Sequence, residues 1–301
     1  MVTGNEPARE RSHTERLAYR LGYTSAAFSF LRFLSGAAGR SGSSLIAATF
    51  ARCYCATQPG VVRVVARNLE LLGHPAPCRS APKVFENFAR TLADYFWLAG
   101  RPREEAAALS DMEGPLPEIP AGCGAVLATG HFGFFEYGEL VLGMKGIPVS
   151  VVTYAEPTTE LTRWRADYRL RWGAETIELG GDTFSSLRAA TAIGNGRLTA
   201  MLVDRPVGGR SLEVDLPGGR IPFSMAPALL SWMVGCPILP ASVRRTPGGR
   251  YAVSTNPLLF ADRRLPRDEA LADCTRRVAG ALIRDFQKDP LQWYHFVPLS
   301  P

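Results

Sequence analysis

Lysine is almost missing from this chain of 301 residues: Lys83, Lys145 and Lys288 are the only ones, although the net charge is +6. Arginine therefore carries nearly all the positive charge, and its planar fork suits phosphate and carboxylate recognition. The excess points weakly to anionic partners such as lipid headgroups, phosphorylated small molecules or nucleic acid. Nucleic acid is disfavoured, because the arginines are dispersed rather than clustered with exposed aromatics. Histidine is scarce too, with 4 in all, which speaks against a His-rich metal site; neither a metal nor a bound organic cofactor is expected. The 6 cysteines lack both the paired spacing of a zinc site and the density of a disulfide scaffold. They read as reduced, mostly buried thiols of a cytoplasmic protein.

Missing motifs exclude further classes. There is no Gly-x-Ser-x-Gly elbow, so a serine nucleophile of the α/β-hydrolase kind is not expected. Neither a Gly-x-x-x-x-Gly-Lys-Ser/Thr loop nor a dinucleotide Gly-x-Gly-x-x-Gly after a strand occurs. The N-terminus, MVTGNEPARERSHTERLAYR, is polar and carries acids, unlike a signal peptide. The most membrane-like window, MAPALLSWMVGCPILPASV at 225–243, has no charged residue. Pro227, Gly235, Pro237 and Pro240 break it into a buried helix over 226–234 and a core strand from near Ile238. No transmembrane segment is expected.

What is present is a 46% apolar composition, enough for one large core, without a linker-like tract. The chain reads as one structural unit: an N-terminal helical extension over 1–100, packed on or next to an α/β domain over 101–301. Leu17, Leu21, Phe28 and Leu31 repeat at helical spacing beside Arg16, Arg20 and Arg32. Such a helix either packs on its own domain or lies in a membrane interface. Segments 61–73 and 80–100 are also helix-like. From 124 onward short apolar runs read as strands: 125–130, 147–154, 174–179, 197–204, 237–245 and 251–260. Helices are expected near 134–144, 157–172, 183–194, 226–234 and 267–287. The fold class is therefore α/β, with a largely parallel central sheet flanked by helices, whose ligands gather beyond the strand C-terminal ends. His131 and Asp204 each stand at such an end.

The stretch VLATGHFGFFEYGEL, 126–140, places His131 behind a glycine after an apolar strand, with Glu136 five residues on. In a continuous helix the two would point about 140° apart, so they meet only if His131 belongs to the loop before the helix. Gly130 and Gly133 permit a tight loop there. Glu136 can then accept the ring N–H of His131, leaving the other nitrogen as a general base. The alternative is a hydrogen-bonded histidine that merely ends a strand.

HFGFFE resembles the His-x4-Asp/Glu motif of the lysophospholipid acyltransferase superfamily. Its surroundings resemble the branch of bacterial lipid A late (lauroyl/myristoyl) acyltransferases and phosphatidylinositol mannoside acyltransferases. VVRVVARNLELLG with Asn68, YRLRWGAETIELGG, GRLTAMLVDRP, the block GGRIPFSMAPALLSWMVGCPILPASVRR and the C-terminal DPLQWYHF follow the order of similar segments in that branch. The resemblance implies His131 as general base for an acceptor hydroxyl, Glu136 as its orienter, and donors near the strand ends as the oxyanion site. It implies Arg169 on a substrate phosphate, with Arg163, Arg165 and Arg171 as rivals. Asp204 would position Arg169, Arg205 or the acceptor, and Gly133 and Phe134 would line the substrate site. Phe132, Phe134 and Phe135 read either as an acyl channel or as plain core. The chain departs from the lipid A members in having Phe134 and Phe135 for Asn and Trp, and Pro206 for a second acid.

The implied activity is transfer of a fatty acyl chain from an acyl thioester, on acyl carrier protein or coenzyme A, to a hydroxyl of a glycolipid or lipid A-like acceptor. The implied place is the cytoplasmic face of the inner membrane, held peripherally. Partners would be the acyl donor, the lipid acceptor and the membrane surface. Three alternatives stand beside it: another amphiphile as acceptor, an acyl-thioesterase using water, and a non-catalytic lipid-binding homologue.

Overall fold

The computed structural model describes residues 25–120, 122–154, 156, 158–179, 185–206 and 209–299. The expected amphipathic repeat through Leu17 and Leu21, with Arg16 and Arg20, lies outside them, as does the side chain of Phe28. The described chain begins with helix α1 (Ser25–Thr57), which bends at Gly39, then α2 (Pro59–Leu71), α3 (Pro77–Leu98) and the short α4 (Arg103–Ala107). Then come β1 (Ser110–Glu113), β2 (Ala125–Thr129), α5 (Tyr137–Met144), β3 (Val149–Tyr154), α6 (Thr159–Arg171), β4 (Ala174–Leu179), α7 (Ser185–Gly194) and β5 (Leu198–Leu202). A hairpin of β6 (Ser211–Leu216) and β7 (Gly219–Ser224) follows, then α8 (Ala226–Val234), β8 (Ile238–Arg245), β9 (Tyr251–Thr255), α9 (Arg267–Lys288) and a 3-10 turn, Pro290–Gln292.

The main sheet has seven strands in the order β1-β9-β8-β2-β5-β3-β4. All neighbours run parallel except β8 and β9. This is the expected α/β architecture with its helical N-terminal segment. β2 is buried at every position, which is why AVLAT reads as a continuous apolar run rather than an alternating one: helices cover both faces of a central parallel strand. On one side Val126, Ala128 and Val203 pack with Val278, Leu282 and Phe286 of α9 and with Ala228 and Leu230 of α8.

α1 is tied to the sheet by a buried acid. Asp94 of α3 has no exposed surface and accepts from Arg40 of α1 at 2.9 and 3.0 Å, from Arg245 of β8 at 3.1 Å, and from the Tyr251 hydroxyl of β9. A carboxylate in so dry a place is tolerated because cations and donors surround it.

Four features differ from expectation. β1 and the β6–β7 hairpin were not foreseen, and the strand expected over 251–260 ends at Thr255, ahead of Pro257, which lacks a ladder donor. The thiols are less buried than expected: Cys236 and Cys274 are buried, Cys55 and Cys123 half-buried, Cys53 and Cys78 exposed, and all are unpaired.

Candidate active site

Sheet register brings the two strand-end residues together. β2 and β5 run side by side with Thr129 opposite Leu202, and the Val203 N–H extends the pairing to the Thr129 carbonyl. His131 and Asp204 each follow two residues beyond the paired ends, so their loops leave the sheet next to one another. Asp204 is fully buried. Its Oδ1 accepts from His131 Nδ1 at 2.9 Å and from the His131 backbone N–H at 3.1 Å. Its Oδ2 accepts from the same backbone N–H at 2.9 Å, from Trp293 Nε1 at 2.9 Å and from His295 Nε2 at 3.0 Å.

Burial opposes ionisation of Asp204, but His131 and His295 outweigh it and hold the carboxyl well below its usual range. An ionised carboxylate can only accept, so both imidazoles donate to it. In neutral His131 the proton therefore sits on Nδ1, and Nε2 is the unprotonated nitrogen. Burial lowers the His295 pKa against the pull of Asp204, so this ring donates as a neutral imidazole.

Two glycines make the approach possible. A Cβ at Gly130 would sit 2.4 Å from the Phe286 ring and 2.9 Å from Asp204 Oδ2. Gly133 has φ +54, and a Cβ there would lie 1.9 Å from the Val243 carbonyl oxygen. Glycine is the residue that fits both places. The Gly133 N–H donates to the Gln292 carbonyl at 2.8 Å and the Phe134 N–H to Val243 at 2.9 Å. Gly133 thus shapes the loop, in which the backbone N–H groups of His131, Phe132, Gly133 and Phe134 are each hydrogen-bonded within the protein.

Glu136 does not orient His131; this expectation is corrected. Its Oε1 accepts from Arg165 at 2.6 Å and from Arg169 at 2.9 Å, both on α6. Burial disfavours its charge, yet Arg165 and then Arg169 prevail and lower its pKa. Two guanidiniums hold this carboxylate, while the His131 ring bonds Asp204 instead. Arg169 is correspondingly buried, its guanidinium held by Glu136 at the wall of the cleft. Its Nε stands 3.8 Å from Glu139, whose carboxyl burial pushes up to about 8. Asp204 has neither Arg169 nor Arg205 among its hydrogen-bond partners, which corrects two of the three roles expected for it.

The histidine, Glu136, Glu139, Arg165, Arg169 and Arg205 all line one cleft of about 1550 Å³. This exceeds the roughly 300–1,000 Å³ usual for small-molecule sites. Apolar walls come from Phe135, Val152, Leu202, Leu229 and Met233. The three phenylalanines divide: Phe132 packs on Phe286 and Phe134 among Tyr95, Tyr137 and Tyr251, both buried, whereas Phe135 is half-buried and stands edge-on to the His131 ring. Arg205 is exposed at the cleft.

Sequence reading missed the part played by the C-terminal segment. Trp293 and His295 reach Asp204 because residues 293–297 run beside the His131 loop: the Tyr294 N–H donates to the His131 carbonyl at 2.7 Å. Asn68 of α2 clamps the same segment through the His295 and Val297 carbonyls, at 3.0 and 2.8 Å. The only sequence signal was the Trp-x-His spacing itself. His131, Asp204 and His295 are also residue types that bind metals, with donor atoms within 4.8 Å of one another. The indole N–H of Trp293 and the backbone N–H of His131 occupy the carboxylate, and neither is lost at ordinary pH, so the arrangement fits hydrogen bonding better than coordination.

With this geometry established, comparison with protein families is decisive. The family model described as bacterial lipid A biosynthesis acyltransferase matches residues 12–299. The chain belongs to that family. The protein is thus an acyltransferase of lipid biosynthesis, and the cleft holding His131 is its candidate active site. No curated protein matches the chain.

Proposed function

We propose that this acyltransferase moves a fatty acyl chain from a thioester, on acyl carrier protein or coenzyme A, to a hydroxyl of a glycolipid or lipid A-like acceptor. His131 acts as general base and Asp204 as its orienter. The observation that carries this reading is the 2.9 Å contact between His131 Nδ1 and a buried, ionised Asp204 beside an apolar cleft. Nε2 of His131 takes the hydroxyl proton as the oxygen attacks the thioester carbonyl carbon. The tetrahedral oxyanion then collapses, the C–S bond breaks, and the departing thiolate recovers the proton from His131. Asp204 stabilises the imidazolium between these steps without being protonated itself. Arg205, exposed at the cleft one residue after Asp204, is the cationic donor offered to the thioester oxygen or to a substrate phosphate. Glu136 holds Arg165 and Arg169 as part of the cleft wall.

Peripheral attachment to the cytoplasmic face of the inner membrane belongs to the same reading. Among the described residues no helix is long and apolar enough to cross a membrane. α1 exposes Phe33, Leu45, Ile46, Phe50 and Tyr54, while Leu31 of α1 and Phe88 and Leu92 of α3 are both exposed and part of the cleft wall. Exposed apolar side chains on α1, with three more at the wall of a lipid-sized cleft, suit a protein that takes its acceptor from a bilayer.

Mass spectrometry of total lipids from cells with and without the gene tests the activity, together with a His131→Ala rescue. A lipid heavier by one acyl chain should appear with wild type and vanish with the variant, whose turnover should fall by roughly two to four orders of magnitude. Equal product from His131→Ala would overturn the mechanism.

A further inference from the structure

His295 is buried to 1% exposure, yet its Nδ1 has no hydrogen-bond partner among the described residues. Leaving a buried polar atom unpaired costs roughly 1–3 kcal/mol, so a ring held only for packing would be better replaced by an apolar one. The other nitrogen explains its presence. Nε2 donates to Asp204 Oδ2 at 3.0 Å, and Trp293 Nε1 donates to the same oxygen at 2.9 Å. The two histidine ring centroids are 5.4 Å apart, with the carboxylate between the rings.

We infer that His295 is a positioning residue for the reaction: by holding Asp204 Oδ2 it keeps Oδ1 on His131 Nδ1, and so keeps the His131 base nitrogen turned to the substrate. The inference rests on the acyl-transfer reading above. A carboxylate has about four lone-pair sites, and here five N–H contacts fill them, three of them on the oxygen away from the His131 ring. Rotation of the carboxylate would break the His295 and Trp293 bonds together with the His131 bond. The clamp is itself fixed: Asn68 holds the His295 carbonyl, and Tyr294 N–H holds the His131 carbonyl. Thus one short segment sets both the imidazole and its partner.

His295 also moderates the dyad. A donor on Asp204 draws charge from the oxygens that face His131, and its removal leaves the imidazolium better stabilised. The charged and titratable groups facing His295 are Asp204, His131 and Arg205. The loss of His295 should therefore do two things at once: lower turnover by loosening geometry, and move the acidic limb of the kcat/KM profile to higher pH.

The test compares His295→Gln, whose amide N–H reaches the Nε2 position, with His295→Asn, whose amide stops short, both folded and polar by design. Palmitoyl-coenzyme A consumption in the presence of a total lipid extract gives kcat, KM and the pH profile. Histidine 15N spectra of each variant report the His131 ring independently of activity. His295→Asn should lose roughly ten- to hundredfold in kcat, the scale seen for groups that orient metal-bound histidines, with KM unchanged and the acidic limb raised. His295→Gln should recover most of the rate. Equal impairment in Gln and Asn with an unshifted acidic limb, or unchanged kcat in Asn, overturns the inference. Wild-type protein that consumes no thioester, while the His131 ring signals still respond to His295→Asn but not to Gln, would instead count against the acyl-transfer reading and leave the positioning role standing.

Discussion

The pairing of His131 with Asp204 spans 73 positions and is made by the adjacency of two strands. Sequence reading placed both residues at strand ends, but it could not know that β2 and β5 are neighbours, so it gave His131 the nearest acid in the chain. That acid, Glu136, is taken by two arginines of α6, which sequence reading ranked only as a phosphate ligand and its rival. His295 was unreadable for a similar reason: its carboxylate partner lies 91 residues away. Gly130 and Gly133, by contrast, were legible, because a loop that must pass close to other atoms calls for glycine wherever it folds. At this scale the account predicts that Asp204→Asn lowers kcat by roughly two to four orders of magnitude, since an amide can hold the ring in the wrong tautomer. Thioester turnover under saturating substrate is the measurement, and a loss below tenfold would contradict it.

At the scale of elements, α5 and α6 meet through Glu136, Glu139, Arg165 and Arg169, all turned toward the cleft. Glu139 is buried, and its carboxyl is pushed up to about 8. Its folded-state pKa lies above the unfolded value, so the folded state binds a proton that the unfolded chain has released across this window. The stability it contributes is fully present below the ordinary carboxyl pKa and is lost as pH rises through about 8. Asp204 and His295 have the opposite sign, because both are lowered on folding: their contribution is lost on acidification, below about 6.5 for the histidine and below about 4 for the acid. Glu139→Gln removes the Glu139 contribution. Its urea midpoint should fall less between pH 5 and pH 8 than that of wild type, whereas parallel curves would contradict the assignment.

The elements themselves were largely readable. Alternating apolar runs and amphipathic segments predicted the α/β succession and nearly every helix after residue 134. β1 escaped because its sequence, SDME, has little apolar character and half-exposed alternation. The β6–β7 hairpin had a usable signal in the alternation of Leu212, Val214 and Leu216 before Pro217 and two glycines.

At the scale of the whole molecule, the cleft wall includes the exposed Leu31 of α1 and Phe88 and Leu92 of α3, and the acceptor is proposed to come from a bilayer. Phe33 and Phe50 are 73% and 75% exposed, so serine at both should leave the fold intact. Burying one phenyl contributes about 1.5–3 kcal/mol, and the double variant should therefore bind vesicles of anionic phospholipid at least tenfold more weakly in a sedimentation assay. Binding equal to wild type would move the membrane contact away from α1.

The most direct measurement of the His131–Asp204 pair needs no substrate. Histidine 15N NMR of the wild type should show His131 as the Nδ1–H tautomer with Nε2 unprotonated, because among the described residues the only carboxylate hydrogen-bonded to its ring is Asp204. Asp204→Asn should change the His131 ring signals and Glu136→Gln should leave them in place. Signals that respond to Glu136→Gln and ignore Asp204→Asn would return the orienting role to the motif's own glutamate and contradict the dyad.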